Sequence, residues 1–383
     1  MKILIVSPLY EIYHWGGLAH SCRRIALGLK SQGHDVIMVN IDAENQYWDE
    51  KNKPTGFFKT EDEGLELYHV PQNYSYTGVE LPKQDDLAVK LNQWYLFLKD
   101  LAKEVKPDIA ISFFIAPYGY PLALISQEFG FSLISAIRGN DIGRFMHDPI
   151  VMPLLKHILE NSKITVCLAK DLETQVKLLY PKAKTKVLYN SVDPKVYERQ
   201  WNDIATKKEL VIGSVGIFKP KKGMEFFFKA FNSKKWKNLS LLLVGDFHKS
   251  TTKKEDLIKS SINKIRITGV VTRPEVMKYL DQIDIFVTLT NSDGCPNAIL
   301  EAMAAGKCII TTPVAAMPDL LKHKHSAYFV DKLDQDLIVR AIEELLLNRE
   351  LIKKIGKNAR LAAKKLLPPY EIDGWNKIIK TIK

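Results

Sequence analysis

The apolar positions of the chain fall into short runs that predict buried β-strands, with helical patterns between them. In the first half the runs are KILIVS (2–7), DVIMVN (35–40), ELYHVP, IAISFF, SLISAI, ITVCLA and TKVLYN. Between the first two runs, residues 17–33 repeat apolar positions at helical spacing and end at Gly33, a common helix stop. β-Branched runs that alternate with helices predict a parallel sheet covered by helices on both faces.

This alternation stops once and then starts again, which predicts two α/β domains. The polar segment 191–208 separates the two series. The second series has the runs ELVIGSVG, LSLLLVG, KIRITGV, IDIFVTLT, KCIITT and AYFV, followed by helical patterns only from residue 334. Residues 41–65 are polar and acidic, so we expect a loop there that leaves the sheet. We therefore expect domains at 1–195 and 205–368, each a doubly wound sheet that binds ligands at the carboxyl ends of its strands.

Charge is distributed unevenly along the 383 residues, whose net charge is +11. Residues 1–195 hold 22 Lys and Arg against 23 Asp and Glu, whereas the remainder holds 33 against 21. The excess suggests an anionic ligand for the second half, namely a nucleotide phosphate, nucleic acid or an anionic membrane surface. A lysine-rich surface that only maintains solubility explains it equally well.

The compartment is suggested by cysteine usage and by hydropathy. The four cysteines have no metal-type spacing, and the first apolar run resembles a strand more than a signal peptide. No apolar run reaches the ~18 residues that a membrane span needs. We expect a cytoplasmic protein with free thiols.

The stretch DGCPNAILEAMAAGKCII (293–310) contains two acids eight residues apart, on either side of Pro296. Proline disfavours helix for the residue before it and suits the first helical turn, so Asp293 should lie in a loop and Glu301 on the helix that follows. The free N–H groups at the start of this helix form an anion site, which we expect to involve Gly294, Cys295, Pro296 and Asn297. A helix that carries a fortuitous acid is the alternative interpretation.

The other strand-to-helix junctions carry charge or glycine. VGIFKPKKGME (215–225) places Lys219, Lys221 and Lys222 where a diphosphate could bind, although a solvated basic turn has the same composition. Three further junctions contain Gly16 and Gly17, the RGNDIGR segment with Arg138, and Asn190. Each of these has an ordinary structural interpretation as a turn or a loop ion pair.

Together these segments resemble the retaining glycosyltransferases of family 4, which have the GT-B fold. DGCPNAILEAMAAGKCII is similar to the family signature of an acid, seven residues, Glu and then A-M-A-x-G. VGIFKPKKG resembles G-R-L-x-x-x-K-G, LLLVGD resembles L-x-I-V-G-x-G, and LYNSVD resembles P-N-G-V-D. The resemblance implies two Rossmann-like domains that face a cleft, with a last helix (369–383) that crosses back to the first domain.

The resemblance also implies roles for single residues. Glu301 would hold the ribose hydroxyls of a UDP- or GDP-sugar, Asp293 the donor sugar and Lys222 the departing diphosphate, without a metal or other cofactor. Lys219, Lys221, Asn190, Gly16, Gly17 and the 294–297 turn would complete the donor site, and Arg138 would take the place of a histidine that faces the sugar. The acceptor would be a glycan or a lipid-linked molecule used in cell-surface polysaccharide or glycoconjugate synthesis.

Besides Asp293, which replaces the more usual glutamate, and Arg138, which replaces the histidine, the sequence departs from the family pattern at two further places. Ile217 stands where the family has an arginine, and Ala315-Ala316 replaces a glycine pair. Ile217 supports a non-catalytic nucleotide-sugar-binding protein as one alternative to a hexosyltransferase. A sugar-nucleotide epimerase, which shares the same architecture, is another. A nucleic-acid partner is not expected, because the positive charge lies beside a donor-type site. The basic helical surface of residues 353–365 is a candidate for peripheral contact with the inner face of a membrane.

Overall fold

The computed structural model describes residues 1–10, 17–43, 56–71, 74–76, 86–199, 207–247 and 254–382. Contacts within the chain divide it into two compact units. One consists of Met1–Tyr189 with Glu371–Lys383, and the other is Asn190–Tyr370. Within the described residues, no helix combines the length and the apolar character needed to cross a bilayer.

The first unit is built on an eight-stranded sheet. Its strands are β1 (Lys2–Ser7), β2 (Asp35–Ala43), β3 (Phe58–Asp62), β4 (Leu65–Pro71), β5 (Ile109–Phe113), β6 (Ser132–Ile137), β7 (Ile164–Cys167) and β8 (Thr185–Val187). Its helices are α1 (Gly17–Ser31), α2 (Leu87–Val105), α3 (Gly119–Phe129), α4 (Asn140–Gly143), α5 (Val151–Asn161), α6 (Lys170–Leu179) and, from the end of the chain, α15 (Tyr370–Thr381). The strand order is β3-β4-β2-β1-β5-β6-β7-β8. β1 is central, since Ile3 pairs with Val36 on one side and with Ile109 on the other.

The strand β3 corrects the prediction of a loop throughout 41–65. It pairs antiparallel with β4 at the edge of an otherwise parallel sheet. Glu63 and Gly64 join the two strands with φ values of 50° and 75°, as a two-residue hairpin of the primed type requires. The prediction failed because an edge strand needs only one buried face, so FKTED lacks the apolar run of a central strand. Residues 41–43 of the predicted loop belong to β2, which runs further than the apolar run 35–40, and residues 44–55 lie outside the described residues.

The helix α15 packs against the sheet and α1 of the first unit. The ring centre of Trp375 lies 5.6 Å from that of Phe113, and the carboxylate of Glu371 accepts a 2.8 Å hydrogen bond from Nε of Arg24. A Cβ at Gly28 would lie 2.3 Å from Cδ1 of Ile372, so a larger residue here would require the Ile372 side chain to move. The end of the chain is thus an integral part of this unit.

The second unit has a six-stranded parallel sheet. Its strands are β9 (Leu210–Val215), β10 (Leu239–Val244), β11 (Ile265–Ile267), β12 (Ile285–Thr288), β13 (Cys308–Thr311) and β14 (Tyr328–Phe329). Its helices are α7 (Pro194–Glu198), α8 (Met224–Asn232), α9 (Lys254–Ser260), α10 (Arg273–Gln282), α11 (Asn297–Ala304), α12 (Met317–Leu320), α13 (Gln335–Leu347) and α14 (Arg349–Lys364). The core lies between the sheet and helices such as α8 and α13, where Phe227, Phe231 and Ile342 are fully buried. The prediction of two doubly wound sheets is confirmed.

Candidate functional site

The strand order of the second unit locates a candidate site. The order β11-β10-β9-β12-β13-β14 runs outward in both directions from β9 and β12. The chain reverses its direction of winding between these two neighbours, and in such sheets ligands bind beyond the carboxyl ends of the strands at that point. The loop after β9 carries the predicted lysines and the loop after β12 carries the predicted aspartate, so both lie at the expected position.

Gly223 allows the loops that follow β9 and β12 to lie against each other. A 3-10 turn at Pro220–Lys222 ends at Gly223, whose φ of 66° is a left-handed conformation that favours glycine. A Cβ at this position would lie 2.1 Å from the carbonyl oxygen of Leu289, so no side chain fits. The carbonyl of Lys221 accepts a 2.9 Å hydrogen bond from the N–H of Asn291, which joins the two loops.

This contact brings Lys222 and Asp293 together in an ion pair between Nζ and Oδ2. The two side chains are 27% and 19% exposed, so the pair is largely shielded but open on one side. Burial works to raise the pKa of Asp293, but Lys222 and the N–H of Gly294 outweigh it and hold the pKa below its ordinary value. The N–H of Gly294 donates to Oδ1 at 2.9 Å. Asp293 is therefore a fixed carboxylate.

The remaining residues of the basic loop differ in exposure. Burial lowers the pKa of Lys221, and the positive charges of Lys222 and Lys219 lower it further, although Asp293 opposes them. Lys219 is exposed. Ile217, which stands where the resemblance places an arginine, is 51% exposed. The cations of this loop are concentrated at its helical end, beside Asp293.

The turn that leads into α11 is held by Asn190. The amide Nδ2 of Asn190 donates to the carbonyl of Cys295 at 2.9 Å and to Oδ1 of Asn297 at 3.0 Å. Gly294 is anchored from the other side, because its carbonyl accepts a 3.0 Å hydrogen bond from the N–H of Ala316. The predicted residues of this turn thus lie together, and Asn190 contributes by shaping the backbone.

Glu301 lies on α11 and is only 5% exposed. Its Oε1 lies 2.6 Å from Nη1 of Arg273, the first residue of α10. Sequence reasoning did not identify Arg273. The available signal was the segment T-R-P-E, in which Thr272 and Glu275 form a capping box that fixes the start of a helix. The pair gives the acid on α11 a partner from a different strand-to-helix junction.

Ala315 occupies the position of the first glycine of the family's pair. It has a φ of 56° and is 2% exposed. An alanine with this backbone conformation is strained by about 1–2 kcal/mol, because its Cβ approaches the following carbonyl oxygen. The loop after β13 therefore keeps a glycine-like conformation without a glycine.

Arg138 and Gly17 belong to the first unit, separate from this group. Gly17 begins α1, whereas Gly16 lies outside the described residues. The guanidinium carbon of Arg138 lies 5.4 Å from the ring centre of Phe113, and burial lowers the pKa of this side chain. The carboxylate of Asp141, which is fully buried, accepts hydrogen bonds from the backbone N–H groups of Arg138 at 2.9 Å and Gly139 at 2.7 Å. Burial raises the pKa of Asp141 to about 6, although these hydrogen bonds oppose the shift.

Comparison with known proteins finds a family match within the second unit. Residues 198–362 match the family described as glycosyl transferases group 1. A glycosyltransferase of Methanocaldococcus jannaschii is 21% identical over 383 residues, which cover 100% of this chain and 97% of that protein.

Two solved structures have the same fold. Sucrose-phosphate synthase from Thermosynechococcus elongatus superimposes with a TM-score of 0.78 at 14% identity, over 100% of this chain and 98% of that one. The Anabaena protein HepE in complex with UDP gives a TM-score of 0.74 at 16% identity, over 100% and 99% of the two chains. Residues 198–362 therefore match the model of the group 1 glycosyl transferases, in a chain that has the GT-B fold.

Proposed function

We propose that this glycosyltransferase moves a hexosyl group from a UDP- or GDP-sugar to a glycan or lipid-linked acceptor, with retention of anomeric configuration as in family 4. The observation that carries the proposal is the Lys222–Asp293 pair at the winding reversal of the second sheet, directly before α11 and Glu301. The UDP bound to HepE, a protein of the same fold, supports a uridine nucleotide as one of the two donors.

The chemistry of transfer assigns a separate task to each group. Bond cleavage leaves a diphosphate whose negative charge grows in the transition state, and fixed positive charge there lowers the barrier most. Lys222 would supply that charge, together with the backbone N–H groups at the start of α11. Asp293 would accept hydrogen bonds from hydroxyls of the donor sugar. Glu301 would accept hydrogen bonds from the hydroxyls of the ribose.

The ion pair itself prepares the site for the donor. An ammonium has three donors, so Lys222 can contact a phosphate oxygen while one N–H stays on Asp293. Because the partners are paired before the donor arrives, neither charge is left buried alone, a state that costs several kcal/mol. No residue of this group is assigned as a covalent nucleophile. We therefore propose transfer on the face from which the diphosphate departs.

A screen of UDP-, GDP- and ADP-sugars tests this function. A ligand at 100 times its Kd stabilises the folded protein by ~2.7 kcal/mol, which should raise the melting temperature by several degrees. We expect a UDP- or GDP-sugar to do so and then to be hydrolysed slowly when no acceptor is present. Release of an altered sugar nucleotide would identify an epimerase instead. Stabilisation without any turnover would identify a binding protein.

We also propose that transfer needs no metal ion, because Lys222 and the start of α11 would meet the diphosphate charge. Activity should persist in excess EDTA and should not rise when Mn²⁺ or Mg²⁺ is added. Donor hydrolysis with and without each addition is the measurement. Activity lost in EDTA and restored by either ion would assign the diphosphate charge to a metal.

Finally, we propose that the protein works at the cytoplasmic face of an anionic membrane, in cell-surface polysaccharide or glycoconjugate synthesis. One face of α14 and the residue after it carries exposed side chains at helical spacing, namely Lys354, Lys357, Leu361, Lys364 and Lys365. Each lysine near an anionic surface contributes ~1 kcal/mol. Sedimentation with phosphatidylglycerol vesicles, but not with phosphatidylcholine vesicles, is the expected result. Equal recovery in the supernatant with both would contradict it.

A further inference from the structure

The Arg273–Glu301 pair joins two junctions of the second sheet. Arg273 follows the loop after β11, whereas Glu301 lies on the helix that follows β12. The carboxylate side chain is 7% exposed and the arginine side chain is 42% exposed. The arginine therefore covers a buried acid from the solvent side, at the helix that borders the proposed donor site.

The backbone around Arg273 is held by contacts other than this pair. Thr272 and Glu275 form a reciprocal capping box. The backbone N–H of Glu275 donates to the side chain of Thr272, and the N–H and Oγ of Thr272 donate to Oε2 of Glu275 at 2.8 Å and 2.7 Å. Pro274 follows in the first helical turn, where its restricted φ suits the helix. The guanidinium thus projects from a rigid position, so it can define the orientation of the Glu301 carboxylate.

Stability alone does not account for the pair. Partly exposed ion pairs contribute ~0–1 kcal/mol, and apolar side chains of similar volume often replace buried pairs without loss. A carboxylate, however, has about four acceptor positions, more than one guanidinium can occupy. An arginine that orients such a carboxylate prepares it to accept hydrogen bonds from a polar ligand.

We propose that Arg273 is a positioning residue for the nucleotide: it orients Glu301 toward the ribose hydroxyls and so makes the site selective for ribose. The proposal rests on the proposed function, in which Glu301 meets the ribose. Arg273 acts through the carboxylate and needs no contact of its own with the nucleotide. Its loss should therefore affect only the recognition of the hydroxyls.

The test is calorimetric titration of the full chain with UDP and with 2′,3′-dideoxy-UDP, or with the guanosine pair if GDP binds more tightly. Wild type should prefer the ribose nucleotide by about tenfold or more, since each hydrogen bond to a charged group contributes ~1.5–3 kcal/mol. Arg273→Ala should weaken UDP binding by about tenfold and leave the dideoxy nucleotide unchanged. Adding Arg273→Ala to Glu301→Gln should have no further effect.

Two variants complete the design. Arg273→Lys retains the charge without the planar fork and should keep part of the preference. Arg266→Ala removes a different arginine of the same unit, which lies against Tyr279, and should keep all of it. If Arg273→Ala weakens both nucleotides equally, or weakens neither, this inference is wrong while the proposed function stands. If wild type binds none of these nucleotides, the proposed function itself is wrong.

Discussion

At the scale of single residues, the site depends on charges that are paired before any ligand binds. Lys222 and Asp293 neutralise each other. Arg273, at the start of α10, and Glu301, on α11, do the same. Neither pairing can be predicted from sequence, because each partner comes from a different strand-to-helix junction. The acids themselves were predictable, since Pro296 separates a loop acid from a helix acid.

Lys222→Ala should lower kcat more than it weakens donor binding, because the lysine would act on charge that develops only in the transition state. Loss of one such contact typically costs ~100–1,000-fold in kcat. Lys219→Ala is the matched control, as it removes an exposed charge from the same loop. Steady-state kinetics with the identified donor measure both variants. Normal turnover in Lys222→Ala together with lost turnover in Lys219→Ala would assign the wrong lysine to the diphosphate.

Asp141 should make the stability of the first unit depend on pH. Its folded-state pKa is raised to about 6 from an ordinary 3.8. The folded state therefore binds this proton more tightly, so the stabilisation is complete below about pH 4 and is lost as pH rises through 6. The total change should be about 3 kcal/mol, at 1.36 kcal/mol for each pKa unit.

Urea denaturation of wild type and Asp141→Asn between pH 4 and 7 measures this effect. The amide oxygen can still accept the N–H groups of Arg138 and Gly139, but the side chain no longer titrates. As pH rises, wild type should lose stability relative to the variant. Asp35→Asn, at a side chain that is 63% exposed, is the control. A constant difference across this range would show that Asp141 has an ordinary pKa in the folded protein.

At the scale of elements, apolar runs predicted the central strands and missed the edge strand β3. The predicted runs 2–7 and 132–137 coincide with β1 and β6, because a strand buried on both faces is predominantly apolar. β3 is bordered by solvent and carries Lys59 and Glu61, so its composition matches that of a loop. Its hairpin turn, Glu63-Gly64, was the one local signal available.

Gly223→Ala should separate the loops that follow β9 and β12. The new Cβ would meet the carbonyl of Leu289 and would occupy a left-handed conformation that itself costs ~1–2 kcal/mol. We expect a melting temperature lower by several degrees and donor hydrolysis reduced at least tenfold. Gly143→Ala, whose new Cβ would lie 3.6 Å from Oε1 of Gln175, should change neither. Full activity in Gly223→Ala would contradict the role of this contact in forming the site.

At the scale of the whole molecule, two sheets of similar winding order differ in what their loops carry. In both units the strand that comes first in the sequence lies inside the sheet, and the strand order reverses beside it, as β1 and β9 illustrate. Only in the second unit do the described loops at that reversal bring a lysine and an aspartate together. The fold could be predicted from periodicity, whereas the identity of the ligand depends on a few side chains at one reversal point.

We propose that the reversal point at β9 and β12, together with α11, binds the nucleotide of a sugar donor. The decisive measurement is titration calorimetry of UDP and GDP into wild type and Glu301→Gln, with Glu350→Gln as a control at a side chain that is 83% exposed. We predict that wild type and Glu350→Gln bind one of the two nucleotides equally well. Glu301→Gln should bind it about tenfold or more weakly, because a hydrogen bond to a charged acceptor contributes ~1.5–3 kcal/mol. Equal affinity in all three proteins, or no binding by wild type, would contradict the claim.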